Sequence, residues 1–195
     1  MTPYIPQVVS TRRPLVFWLV SAATVAALVS LIVVAPLAAA GGYNGAAFVI
    51  YRAFGVLCHQ IPERSYFIDG HKLGVCSRCT GIYAGFAFTL LLYPLLRSLR
   101  NTTTPPRSLL ILAALPLAID FSLTFFGIWE NTHTSRLLTG LLLGSVAVFY
   151  VMPGIVELSL RALTQQTPRP VTFTLASPER IAAAPSDYSA PERRI

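Results

Sequence analysis

Residues 58–85 read CHQIPERSYFIDGHKLGVCSRCTGIYAG, and all three cysteines of the chain fall within the first 22 of these positions. Cys76 and Cys79 form a C-x-x-C pair, which sets two soft donors within reach of one ion. Tetrahedral zinc takes four nitrogen or sulfur ligands. Cys58 and one of His59 and His71 would complete such a set. Cys76 and Cys79 also stand at the start of an apolar run with Arg78 between them. Free backbone N–H groups and the positive end of a helix dipole there favour thiolate over thiol. Thiolate is the form required both by a metal and by disulfide exchange, so the spacing admits either. An odd number of cysteines excludes complete disulfide pairing within one chain. Helical spacing puts Tyr83 on the side of Cys76 and Cys79.

Two further features carry chemistry. Asp120 interrupts an apolar run close to its middle, where an unpaired carboxylate costs at least about 2.5 kcal/mol. It is expected to face other helices, bonded to a hydroxyl such as Tyr83 or Ser122 or serving a proton path. Glu130-Asn131-Thr132-His133-Thr134-Ser135-Arg136 is a polar turn. Its Arg136 is expected to pair with Glu130, Glu63 or Asp69, or to reach lipid phosphate. Gly81 and Gly85 share a four-residue spacing with Gly140 and Gly144, the pattern that lets two helices approach closely. Their apposition would bring the cysteine loop and the Asn131 turn together.

The elements that must position these groups are membrane spans. The apolar fraction is 54%, the charged fraction 12% and the mean hydropathy +0.61. A soluble domain needs roughly 25% charge. Spans are expected over 15–40, 75–96, 109–129 and 137–158, each near the roughly 20 helical residues that cross a bilayer core. The stretch 43–57 is too short to span and reads as an interfacial helix. The fold class is therefore all-α: a polytopic membrane protein of four transmembrane helices plus a short interfacial helix. The first run exceeds the 7–15 apolar residues of a signal peptide, so it is expected to be retained. The organisation reads as a cytoplasmic N-terminus (1–14), a membrane domain (15–161) with its Cys/His loop at 58–79, and a Pro/Ala/Ser/Thr-rich disordered tail (162–195).

The net charge of +7 lies in short arginine clusters beside apolar runs. That placement fits topology setting and anionic lipid, and it argues against nucleic acid. With both termini in the cytoplasm, Arg12, Arg13, Arg97, Arg100, Arg107, Arg161 and Arg169 gather inside. The cysteine loop and the Asn131 turn then share the outer face of a bacterial-type inner cell membrane. The lipid bilayer is the one partner this pattern names, and a homo-oligomer is compatible with it.

The motif set CHQ-x-PERS, C-x-RCTGIYAG, an intramembrane Asp and N-x-x-x-x-R-x-x-TG resembles the uncharacterised bacterial and archaeal membrane proteins grouped as domain of unknown function 2085. The resemblance runs roughly from Tyr51 to Gly144. It rests on Cys58, His59, Gln60, Arg64, Ser65, Cys76, Arg78, Cys79, Gly81, Tyr83, Gly85, Asp120, Asn131, Arg136 and Gly140. It implies no activity. The residues themselves point first to a Cys/His metal site, zinc by ligand type, with Cys58, Cys76, Cys79 and His59 or His71 as ligands. Gln60, Arg64, Arg78, Tyr83, Asp120, Asn131 and Arg136 would support it. A thiol-disulfide oxidoreductase linked to quinone, with Cys58 as shuttle thiol, is the alternative. An ion- or proton-coupled transporter using Asp120 is the third reading.

Overall fold

The computed structural model describes residues 12–164, with side chains over 14–158. The tail beyond residue 164 and the segment before residue 12 lie outside the described residues. The elements are α1 (Arg12–Ala40), α2 (Asn44–Gly55), a 3-10 turn (Pro62–Arg64), strands β1 (Phe67–Ile68) and β2 (His71–Lys72), α3 (Ser77–Leu96), α4 (Arg107–Phe125) and α5 (His133–Thr164). Among the described residues four helices are long and apolar enough to cross a membrane: Pro14–Ala40, Ser77–Leu96, Arg107–Phe125 and His133–Leu158. The 12-residue α2 is not one of them. Ile111, Leu112, Leu95 and Phe48 lie on the outside. In water they would form an aggregation surface, whereas hydrocarbon solvates them without cost.

α3 and α5 form the tightest pair, and glycine is the reason. A Cβ built on Gly81 would lie 2.2 Å from the Leu137 carbonyl oxygen, and one on Gly85 2.2 Å from that of Leu141. Reciprocally, Gly140 faces the Arg78 carbonyl oxygen at 2.3 Å and Gly144 that of Ile82 at 2.1 Å. These obstacles are backbone atoms and cannot swing away, so only glycine permits the approach. The expected pairing of the two glycine repeats is what the helices form.

Prolines inside the spans also hold the bundle together. A helical proline leaves the carbonyl four residues earlier without its usual donor. Pro36 frees Ile32, whose oxygen accepts the Gly74 N–H at 3.0 Å. Pro94 frees Leu90, whose oxygen accepts Trp18 Nε1 at 2.7 Å. Both bonds tie α1 to the rest of the chain, the first through the cysteine loop and the second through α3. Gly74 sits so close to α1 that a Cβ there would meet Ile32 Cα at 3.1 Å.

Two apolar clusters result. Leu90, Tyr93, Val148 and Met152 fill the space between α3 and α5 away from the cysteine loop. Ile32, Phe54, Cys58, Leu73 and Val75 lie under the loop, with Cys76, Cys79 and Tyr83 packed against them.

Candidate metal centre

The loop between α2 and α3 is better ordered than its polar composition suggests. Asp69 and Gly70 both have positive φ, 49° and 77°, and they turn β1 back on β2 with Ile68 opposite His71. An Asp-Gly pair is a strong two-residue hairpin signal, and the expectation of an irregular loop overlooked it. Gln60 also has positive φ, 51°, and is buried. Its Nε2 donates to the carbonyls of Tyr51 (2.7 Å) and Gly74 (2.8 Å), and its own carbonyl accepts Lys72 Nζ at 2.7 Å. The Gln60 side chain thus joins α2 to the approach to α3, and its backbone carbonyl ties in the hairpin through Lys72.

Within this frame the three sulfurs converge. Cys58 follows α2, its N–H bonded to the Phe54 carbonyl at 2.9 Å. Cys76 is the N-cap residue of α3, and Cys79 lies in its first turn. The Sγ atoms of Cys58, Cys76 and Cys79 all lie within 4.8 Å of one another. The backbone N–H groups of Gln60 and Cys76 donate to Cys58 Sγ at 3.4 and 3.3 Å. Hydrogen bonds from the Cys76 and Cys79 thiols, helped by those two N–H groups, hold the Cys58 thiol well below its usual range against the opposing effect of burial. The cluster therefore favours at least one thiolate at neutral pH.

The histidines stand differently. Among the described residues neither joins the group of three sulfurs. His59 is exposed and lines the same cavity as the cysteines. His71 is exposed in β2, on the hairpin. Sequence spacing alone does not separate them, because the direction of each ring depends on the left-handed residues Gln60, Asp69 and Gly70.

A second polar network closes the opposite wall. Asp120 lies five residues before the end of α4 at Phe125, about one and a half turns in. The expectation of mid-span depth needs correcting: the apolar residues Phe126–Trp129 extend the hydropathy signal, yet the chain turns there, with Gly127 at φ 69°. Arg78 Nη2 donates to Asp120 Oδ2 at 2.7 Å, Asn131 Nδ2 to the same oxygen at 2.7 Å, and Ser135 Oγ to Oδ1 at 2.8 Å. The expected hydroxyls play no part: Ser122 bonds Ala118, and Tyr83 packs edge-on against Phe54 at 6.4 Å. Arg136 departs from expectation too. It pairs with none of Glu130, Glu63 and Asp69, and its Nε donates to Asn131 Oδ1. Tyr66 reaches from the cysteine loop to the His133 carbonyl at 3.2 Å, its ring 5.3 Å from the imidazole. The two loops meet, as the glycine spacing required. Arg64, Ser77 and Ser65 complete the frame: Ser77 Oγ donates to the Arg64 carbonyl at 2.9 Å, and Ser65 Oγ to that of Ile61 at 2.9 Å.

A family model described as "Predicted membrane protein (DUF2085)" matches residues 58–150, the stretch from Cys58 into α5. An uncharacterised protein of Methanocaldococcus jannaschii is 38% identical over 104 residues, covering 53% of this chain and 67% of that protein. The chain belongs to the DUF2085 family. A second uncharacterised protein, from Methanothermobacter thermautotrophicus, is 41% identical over 88 residues, covering 45% of this chain and 78% of that one. No solved structure matches. The matched range contains the three cysteines, Gln60, Arg64, Arg78, Asp120, Asn131, Ser135 and Arg136. The family is described as a membrane protein, with no activity attached.

Proposed function

We propose that this protein binds a soft divalent metal ion, zinc by ligand type, through Cys58, Cys76 and Cys79 at the outer face of the inner cell membrane. The observation that carries the reading is the convergence of three sulfurs within 4.8 Å. Sulfurs around one zinc ion stand about 3.8 Å apart when Zn–S is about 2.3 Å, so the cluster needs little contraction. His59, next in sequence to Cys58 and lining the same cavity, is the nearer candidate for a fourth ligand. His71 on the hairpin is the other. A closed set of four makes the ion a structural clasp between α2, the loop and α3. Asp120, with both oxygens engaged, then anchors Arg78 and Asn131 rather than carrying a transported proton. The arginine distribution supports cytoplasmic termini and an outward-facing loop.

Metal analysis of protein purified in nonionic detergent tests this. About one equivalent of zinc is expected, lost in Cys58→Ser, Cys76→Ser and Cys79→Ser and weakened in His59→Ala. Absence of metal, or metal unchanged by Cys76→Ser, would overturn it. Thiol exchange is the second reading, favoured by the depressed Cys58 thiol. Three thiols labelled equally with and without reductant would exclude it, whereas one reducible pair would favour it.

A further inference from the structure

The metal reading leaves one charge arrangement unused. Arg136 is 8% exposed and sits at the outer end of α5. Asn131 Oδ1 accepts its Nε, and among the described residues no carboxylate comes within ion-pair distance of it. The charges that reach it most strongly are two further arginines, Arg64 and Arg78, ahead of Asp120. Arg78 shares Asp120 with Asn131 and Ser135, and its buried Nε has no hydrogen-bond partner. A guanidinium taken out of water without an anion is costly, so buried Arg136, beside Arg64 and Arg78, calls for an anion from elsewhere.

All three arginines line one cavity of about 360 Å3, together with Asn131. It is the cavity that the three cysteines and His59 also line, and its apolar wall includes Leu57, Ile61, Phe121 and Phe125. Glu63 and Glu130 line an adjoining cavity with Arg64 and Arg136, yet neither forms an ion pair among the described residues. The pocket thus combines guanidinium groups with apolar surface, and its size suits a small amphiphile. The planar forks of arginine match phosphate and carboxylate oxygens.

We propose that this cavity binds an amphipathic anion, its phosphate or carboxylate head held by Arg136 and Arg64 and its apolar body lying against Phe121 and Phe125. The site does not rest on the metal reading: it uses guanidinium groups of the shared cavity, and the metal would use its sulfurs. The anion comes either from a membrane phospholipid or from a free amphiphile.

Native mass spectrometry of the full chain, delipidated in nonionic detergent, tests the lipid source by titration with phosphatidylglycerol and, separately, phosphatidylcholine. Thermal melting with dodecyl phosphate tests the free source. Preferential phosphatidylglycerol adducts or a raised melting temperature are expected. Arg136→Gln should raise Kd at least tenfold, Arg64→Gln severalfold, and Arg52→Gln, which removes the same charge outside the cavity, should leave it unchanged. Arg64 is exposed, so its variant decides the matter where Arg136→Gln does not fold. Binding of neither probe, equal binding of the two lipids without any response to dodecyl phosphate, or equal loss in Arg52→Gln would overturn the site. Metal content measured on the same samples separates this outcome from failure of the metal reading.

Discussion

The two halves of this bundle, one beside the cysteine loop and one away from it, are built on opposite principles. Away from the loop, Leu90, Tyr93, Val148 and Met152 pack side chain to side chain between α3 and α5. The loop-side half brings backbones together through four glycines and fills the space so created with sulfur, guanidinium and carboxylate. In hydrocarbon there is little hydrophobic force between helices, so association depends on close packing and internal hydrogen bonds. Side-chain packing dominates away from the loop, and glycine-mediated backbone contact with polar bonds dominates beside it. Polar groups are tolerated at that end because most are bonded to one another there, as Asp120 is to Arg78, Asn131 and Ser135. A site at that end needs no separate domain.

The sharpest way to break this contrast is at the glycine seam. Gly144→Val should abolish the folded monomer, measured by size exclusion in detergent, since even its first added carbon would meet backbone at 2.1 Å. Gly154→Ala on the same helix meets nothing within 4 Å and should stabilise by about 0.5–1 kcal/mol through helix propensity.

A matched pair then separates the halves. Tyr93→Ala, which empties a position 1% exposed, should cost about 3–5 kcal/mol and leave bound metal unchanged. Asp120→Ala leaves Arg78 without its partner and should cost about 3 kcal/mol. That variant should also disturb the outer face, seen as faster labelling of Cys76 and Cys79. Equal thiol labelling in both variants would erase the distinction between the halves. Smallest is Trp18→Phe, which removes the donor to the freed Leu90 carbonyl. About 1 kcal/mol of thermal stability should go with it, and thiol labelling should not change.

Much of this was legible before the fold was known, and the parts that were not share a cause. Long apolar runs located the spans because backbone in hydrocarbon has few alternatives to helix. Four-residue glycine spacing foretold the α3–α5 contact, and with it the meeting of the two loops. Asp120 was placed too deep because hydropathy sums over residues and does not register the turn at Gly127. Opposite charge points Arg136 to Glu130 or to the loop acids Glu63 and Asp69, whereas the neutral Asn131 is its acceptor. The Asp69-Gly70 hairpin was readable and overlooked. The bonds from Gly74 to Ile32 and from Trp18 to Leu90 have half a signal each: proline marks the free carbonyl, but only the folded chain names its donor. The same limit applies to the histidines, whose directions follow from three left-handed backbone positions.

X-ray absorption at the zinc edge on detergent-purified protein addresses the thiol cluster most directly. Three sulfur neighbours at about 2.3 Å are predicted, with one lighter atom completing the shell, and Cys58→Ser should reduce the sulfur count. A zinc-free protein, or a metal shell of oxygen and nitrogen alone, would contradict the proposed centre.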